Sequence, residues 1–477
     1  MRQDNRSGID RREFMRRTGA IAVGTGLGAS AVSGVHAQQA SRDPEWRNKQ
    51  PGMRYRRLGR TNFMVSEIGF GGSGISFDNI AMVDRAIERG LNYIDTSSGY
   101  REGQSEPALG KLLKGAKRDK VFLATKAALF LKERTTMLRA RYNALPAAER
   151  QTYAERAREN VAKRAMPVMT KESTRDDKKI RQIVQAEIDD ILEREGVPGL
   201  DRSEYTKRIV ESVQGSAKRL QTDCIDVIII PGRVSMPSQV DLPEVHEAFE
   251  KLKKAGTVRF LGVATHANIH DVLTACIENG KYDVLMPAYN ALNHGDLDDV
   301  LKQAAAKDVG VVVMKALAPF LRRGEVDDRV NELVKGGLSP YQKAYRWVLE
   351  NPNVACVISA MKSREQVDHN IGIPTMKLGL RDRKALERFA RARAAEACAM
   401  CASCAKACPA RIPIPDILRF GMYADGYGEV REATQAYAGL APEQTVAACL
   451  DCGACERACP NGVPIRQRIN AIHSVLA

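Results

Sequence analysis

Eight of the eleven cysteines in this 477-residue chain fall into two copies of one spacing. Cys398, Cys401, Cys404 and Cys408 precede Pro409, and Cys449, Cys452, Cys455 and Cys459 precede Pro460. Three thiolates at x2 spacing wrap one face of an iron–sulfur cubane, and the fourth, before proline, reaches the other cluster when two copies are present. The spacing therefore predicts two 4Fe–4S clusters. One is held by Cys398, Cys401, Cys404 and Cys459, the other by Cys449, Cys452, Cys455 and Cys408. Zinc usually takes two CxxC pairs and would leave the third-and-fourth arrangement unexplained. The repeat continues past the cysteines, with Ile412-Pro413-Ile414 and Val463-Pro464-Ile465 at the same offset after each Cys-Pro. Cys224, Cys276 and Cys356 stand apart and read as buried apolar residues on strands or helices.

The segment between the motifs reads as helical over Ile414–Tyr423 and Glu429–Ala436, so the C-terminal region, 385–477, is expected to be a mostly α-helical two-cluster domain. A helix over Asp382–Ala395 marks its start.

Upstream, from Pro51 to about residue 380, short β-branched apolar runs alternate with helical patterns. The strand candidates are Val65–Gly71, Tyr93–Thr96, Val121–Lys126, Asp226–Pro231, Val258–Thr265, Val284–Asn290, Val311–Leu317 and Val354–Ala360. Helical spacing is clear where Val245, Ala248, Phe249 and Leu252 recur at i, i+3, i+4 and i+7 before Gly256. Eight buried strands separated by helices predict an α/β fold, a closed parallel (β/α)8 TIM barrel whose reactive residues sit at the C-terminal ends of strands. One crossover is too long. Residues 130–208 read as a helical insertion: a polar helix from Pro146 to Ala165, then a stripe of Ile180, Ile183, Val184, Ile188, Ile191 and Leu192 ending at Gly196 and Pro198. Its readings are packing on the barrel, a lid or a docking surface.

Several barrel segments resemble the aldo-keto reductase family. "MRYRRLGRTNFMVSEIGFGG" is similar to its N-terminal hairpin and first strand, and "YIDTSSGY" to its second. "FLATK", "SAKRLQTDCIDVIII", "FLGVATH" and "VISAMKSREQVDHN" follow in the family's order. Fused to a two-cluster tail of all-α ferredoxin type, the chain resembles a ferredoxin-containing branch of that family. The resemblance implies carbonyl or alcohol redox chemistry, with Tyr100 as general acid, Lys126 as its partner and Asp95 holding the lysine. Such chemistry needs a proton donor at the developing alkoxide, and a lysine beside a tyrosine favours its ionised form. The resemblance also implies an NADP(H) site at Thr265, Lys362, Ser363, Arg364 and Asn370, the basic pair facing an adenosine phosphate.

Two positions depart from the family pattern. Pro231 stands where a substrate-orienting histidine is usual, and Met286 where a glutamine often holds the nicotinamide amide. His266 could occupy the same mouth, though its place after strand five reads more simply as a surface loop histidine. Two other readings therefore stand beside the enzyme: an electron-transfer protein with the barrel as scaffold, and a docking module for a redox partner.

The first 37 residues resemble a twin-arginine signal peptide. Arg11-Arg12-Glu13-Phe14-Met15 precede a Gly/Ala-rich stretch and then Val35-His36-Ala37, an A-x-A-like cleavage site. That route carries folded proteins, so clusters can be inserted before export, and the mature chain is expected to be periplasmic. The implied partners are the translocation machinery, a carbonyl or alcohol substrate and a redox protein. The net charge of +15 lacks the aromatic-and-basic pattern of a nucleic-acid module and reads as solvated surface. No later run is long and apolar enough to predict a membrane span.

Overall fold

The computed structural model describes residues 43–127, 130–169, 176–322, 325–326, 330 and 338–477. The segment read as a signal peptide, residues 1–37, lies outside them.

Eight parallel strands close into a barrel. They are Ile68–Gly71, Tyr93–Asp95, Phe122–Lys126, Ile225–Val234, Val258–Thr265, Val284–Pro287, Gly310–Val313 and Cys356–Ser359, numbered here strands 1 to 8. The expected first strand, Val65–Gly71, divides: Phe63–Ser66 pairs antiparallel with Tyr55–Arg57 in a hairpin, and only Ile68–Gly71 joins the barrel. The hairpin plugs the end at which the strands begin. Leu58 and Phe63 pack into the barrel interior, and the Phe63 ring stacks on Phe122 with centroids 4.0 Å apart. At its turn Gly59 lies in the left-handed region, and a Cβ there would come within 2.2 Å of the Gly310 nitrogen, so a side chain is excluded.

Strand alternation decides which residues face the interior. Tyr93, Phe122, Ala124, Val227, Ile229, Ala264, Val284, Met286, Val312 and Cys356 form the inner cluster, while Ile94, Leu123, Ile228, Val263, Leu285 and Val357 pack outward on the helices. Continuing the inner parity to the open, C-terminal end brings up Asp95, Lys126, Pro231 and His266. Thr265 falls on the outer parity.

The insertion forms helices Phe130–Asn143, Ala147–Arg164 and Asp177–Glu195, and Arg202–Arg219 returns the chain to the barrel. Leu138, Leu145, Ala157, Ile188 and Ile191 make its own small core. Val161, Ala165 and Ile183 instead join the core of the C-terminal domain with Ile414, Ile417 and Phe420. Glu187, fully buried, receives Arg164 at 2.6 Å and Arg411 at 2.5 Å, and Lys179 donates to the Cys449 carbonyl at 3.0 Å. The insertion is thus the surface on which the C-terminal domain docks.

That domain is helical, with Ile414–Gly421 running into a π-turn at Met422–Gly426, then Val430–Ala438 and Ile465–Leu476. Cys276 and Cys356 are buried in the barrel, while Cys224 is half-buried in the turn before strand 4.

Candidate active site and cluster sites

The two cysteine motifs fold alike. Met400 and Ala402 have φ of 60° and 63°, and Asp451 and Gly453, at the same offsets, 52° and 69°. Each motif's first thiol accepts a backbone N–H two residues on, Met400 to Cys398 at 3.3 Å and Asp451 to Cys449 at 3.4 Å. Arg411 and Gly462, both left-handed, turn each chain after its Cys-Pro. Cys408 lines one cavity with Cys449, Cys452 and Cys455. Cys459 acts electrostatically on Cys398 and Cys404, together with Cys401. The thiols therefore gather as two quartets, each borrowing its last member from the other motif. Burial chiefly pushes the Cys398 and Cys455 thiols up to about 11, so loading metal there displaces protons. Among the described residues no three His, Cys, Asp or Glu side chains converge closely enough for a single ion. A quartet around a cavity suits a polynuclear cluster, and the N–H···S bonds suit its sulfur-rich ligand shell.

At the open end of the barrel Lys126 donates to both Asp95 oxygens, at 2.7 and 2.6 Å, and to the Thr96 carbonyl at 3.0 Å. Its Nζ lies 4.7 Å from the centre of the Tyr100 ring. Burial opposes the ammonium, yet Asp95 and Tyr100 outweigh it and hold the lysine charged. Burial likewise dominates at Tyr100 and raises its pKa, with Lys126 pulling only part of the way back. Tyr100 is thus a protonated donor in the resting site, with a smaller effect from the lysine than its chemistry suggests. Close packing fixes the pair: a Cβ at Gly72 would stand 2.3 Å from the Asp95 carbonyl oxygen. The next two residues, Arg101 and Glu102, are both left-handed, at φ 49° and 57°, local strain of the kind that active-site loops store.

His266 lies on the inner parity at the end of strand 5, where its Nδ1 is covered and has no hydrogen-bond partner. Its electrostatic neighbours are Arg419, Lys315 and Lys126, and burial first, then these cations, hold it well below the usual imidazole range. It is a neutral residue of the mouth, not a surface loop histidine. Pro231 faces the same mouth on strand 4 and contributes no side-chain donor.

Three residues that the sequence reading missed complete this mouth. Arg419 and Tyr423 come from the cluster domain, and Lys315 follows strand 7 with φ 64°. Arg419 donates to the Tyr423 hydroxyl at 2.7 Å and to Asp416 at 2.6 Å. The Lys315 ammonium stands 4.4 Å from the Tyr423 ring centre and 4.8 Å from that of Tyr427. Burial resists ionisation of Tyr423, but Arg419 and Lys315 prevail and lower its pKa. Tyr100, His266, Lys315 and Tyr423 keep some accessible surface although protein surrounds them, so they line a chamber at the barrel mouth. Lys315 alone carried a signal, as a cation near the C-terminal end of the strand candidate Val311–Leu317, which ends in the structure at Val313. Nothing local to Arg419 or Tyr423 announces a role in another domain.

The positions expected to hold a dinucleotide divide. Lys362 and Arg364 are exposed at the start of helix Arg364–Gly372, where the Ser363 hydroxyl accepts from the Gln366 amide at 3.3 Å. Lys362 lies 4.0 Å from Glu429 of the cluster domain. This cationic helix start fits a phosphate group. Thr265 and Asn370 are engaged within the protein. The fully buried Thr265 hydroxyl lies 2.9 Å from the carbonyls of Val234 and Ala267, and the Asn370 amide donates to Ser359 at 3.0 Å. Met286 is sealed in the barrel interior.

Known proteins bear on this site in two ways. The aldo/keto reductase family model matches residues 67–390, and a 4Fe-4S dicluster domain model matches 385–463. Similar relatives include the uncharacterized oxidoreductase YqkF of Bacillus subtilis, 22% identical over 67% of this chain and 90% of its own length. The aldo-keto reductase YhdN of the same organism is 24% identical over 70% and 92%. Among solved structures, the holo form of aldo-keto reductase AKR11C1 from Bacillus halodurans is 23% identical with a TM-score of 0.48, covering 71% of this chain and 96% of that one. The chain belongs to the aldo/keto reductase family and is an iron–sulfur oxidoreductase.

Proposed function

We propose that this aldo/keto reductase is an exported enzyme that couples carbonyl/alcohol redox chemistry in its barrel to electron transfer through two 4Fe–4S clusters, one on Cys398, Cys401, Cys404 and Cys459 and one on Cys449, Cys452, Cys455 and Cys408. One observation carries the reading. Cys398 and Met400 pack against the core of the barrel, and Cys398 shares with Asn290, Ala318 and Arg419 a cavity of about 440 Å³ between the two domains. The cluster site and the Tyr100 chamber are therefore neighbours through Arg419.

Reducing a carbonyl to an alcohol takes two electrons and two protons. Hydride from a bound NADP(H) would bring both electrons and the proton that ends on carbon, and the clusters would return the spent nicotinamide to its reduced form with one electron each from an outside redox protein and a proton from solvent. Tyr100 delivers one proton to the oxygen as it becomes alkoxide, and Lys126, fixed by Asp95, stabilises the phenolate left behind. In the reverse direction the same groups take that proton back. A bound NADP(H) would supply or accept hydride, its phosphate held by Lys362, Ser363 and Arg364. The exposed Cys401 is where an outside redox protein would approach. Export to the periplasm is supported by the twin-arginine pattern at Arg11-Arg12 alone.

Pro231 and Met286 favour a second reading, in which the barrel is only a scaffold for an electron-transfer protein. One experiment separates the two. The mature protein is purified without oxygen, released dinucleotide is assayed, and cluster reduction is followed on adding NADPH or NADH. Bound NADP(H) with cluster reduction supports the enzyme. No dinucleotide, no binding and no effect of Tyr100→Phe on any activity would leave only the scaffold.

A further inference from the structure

The chamber holds more positive charge than its carboxylates balance. Lys126 is paired with Asp95 and Arg419 with Asp416, both at 2.6 Å. Lys315 has no carboxylate at ion-pair distance among the described residues. It stands over the rings of Tyr423 and Tyr427, burial lowers its pKa, and Glu429, which acts on it from a distance, also faces Lys362 at 4.0 Å. Arg419 Nε and His266 Nδ1 beside it also lack partners, though protein covers both atoms. An uncompensated charge away from water is costly, and a ligand that satisfies it recovers that cost.

We propose that Lys315 and Tyr423, with Arg419 and His266 behind them, form a subsite for a single carboxylate of the substrate, so that the barrel acts on a small oxo or hydroxy acid. The surplus of one charge matches a carboxylate better than a dianionic phosphate. The Tyr423 hydroxyl accepts from Arg419 and so turns its own proton outward toward the ligand. Tyr423 lies within electrostatic reach of Tyr100, which sets the carboxylate close to the carbon handled there. Pro231 removes one donor from the mouth, and this subsite, built largely by another domain, supplies others. The inference rests on the reading of Tyr100 as the acid at a carbonyl or hydroxyl.

The test is calorimetric titration of the mature, cluster-loaded protein under anaerobic conditions with oxamate, its neutral counterpart oxamide, and inorganic phosphate. Oxamate is expected to bind roughly tenfold or more tightly than either, the range of a charge-assisted hydrogen bond. Lys315→Met and Tyr423→Phe should each abolish most of that preference. Arg419→Gln should do the same, and if it loses its cluster absorption the other two variants decide. Equal binding of oxamate and oxamide, a preference for phosphate, or unchanged selectivity in Lys315→Met and Tyr423→Phe overturns the subsite. The readout needs no turnover. Selective oxamate binding with full activity in Tyr100→Phe would keep the subsite and remove the Tyr100 reading, and the converse result would remove the subsite alone.

Discussion

The ammonium of Lys315, at the end of the seventh barrel strand, stands 4.4 Å from the ring centre of Tyr423, which belongs to the cluster domain. Two domains thus meet inside one chamber, and each supplies what the other lacks. The barrel brings a tyrosine, its lysine and an aspartate; the cluster domain brings an arginine, a second tyrosine and the cysteine quartets.

Tyr100→Phe and Lys126→Met should each lower turnover by about 10²–10⁴-fold, the range for losing a positioned general acid. Steady-state assays on cluster-loaded protein check this. Full activity in both would place the proton donor elsewhere.

The crossed quartets predict paired spectroscopic effects. Cys408→Ser should perturb the cluster of Cys449, Cys452 and Cys455, and Cys459→Ser that of Cys398, Cys401 and Cys404. Paramagnetic resonance of the reduced variants can assign each signal. Cys408→Ser changing the same signal as Cys398→Ser would refute the crossing.

His266 predicts an acid weakness. Its pKa is lowered in the fold by burial and by Arg419, Lys315 and Lys126, while in the unfolded chain it titrates near about 6.5. The unfolded state therefore binds the proton first as pH falls, and stability declines below about pH 6.5. Unfolding midpoints between pH 7 and 5 should fall less steeply in His266→Gln than in the parent protein, after buffer matching. Parallel profiles would show that His266 is not held neutral by its surroundings.

Glu187 tests the docking of the domains. Removing it leaves Arg164 without its carboxylate and Arg411 with only Asp190, at 3.0 Å, where the acid was buried. Breaking a fully buried pair costs roughly 3–5 kcal/mol, but both arginines reach solvent, so about 1–3 kcal/mol is expected. Glu187→Ala should lower the anaerobic melting temperature and expose the helix Ile414–Gly421 to proteolysis. A melting temperature within error of the parent would make the ion pairs incidental.

What was readable from the sequence is what short-range geometry governs. The thiol spacings recur as backbone turns with left-handed residues at matched offsets, because three-residue intervals around a cubane leave the chain few conformations. The eight apolar runs became eight strands, and strand parity alone carries Asp95 and Lys126 to the open mouth. That same parity, applied one residue further, separates Thr265 from His266 and leaves only the second on the inner side. The meeting of Arg419 and Tyr423 with Lys315 was decided only by the tertiary structure. It depends on Val161, Ala165 and Ile183 of the insertion burying themselves against Ile417 and Phe420, a contact between segments far apart in the chain. No period of 2 or 3.6 residues encodes such a contact, since apolar faces state that they will be covered and leave open which surface covers them.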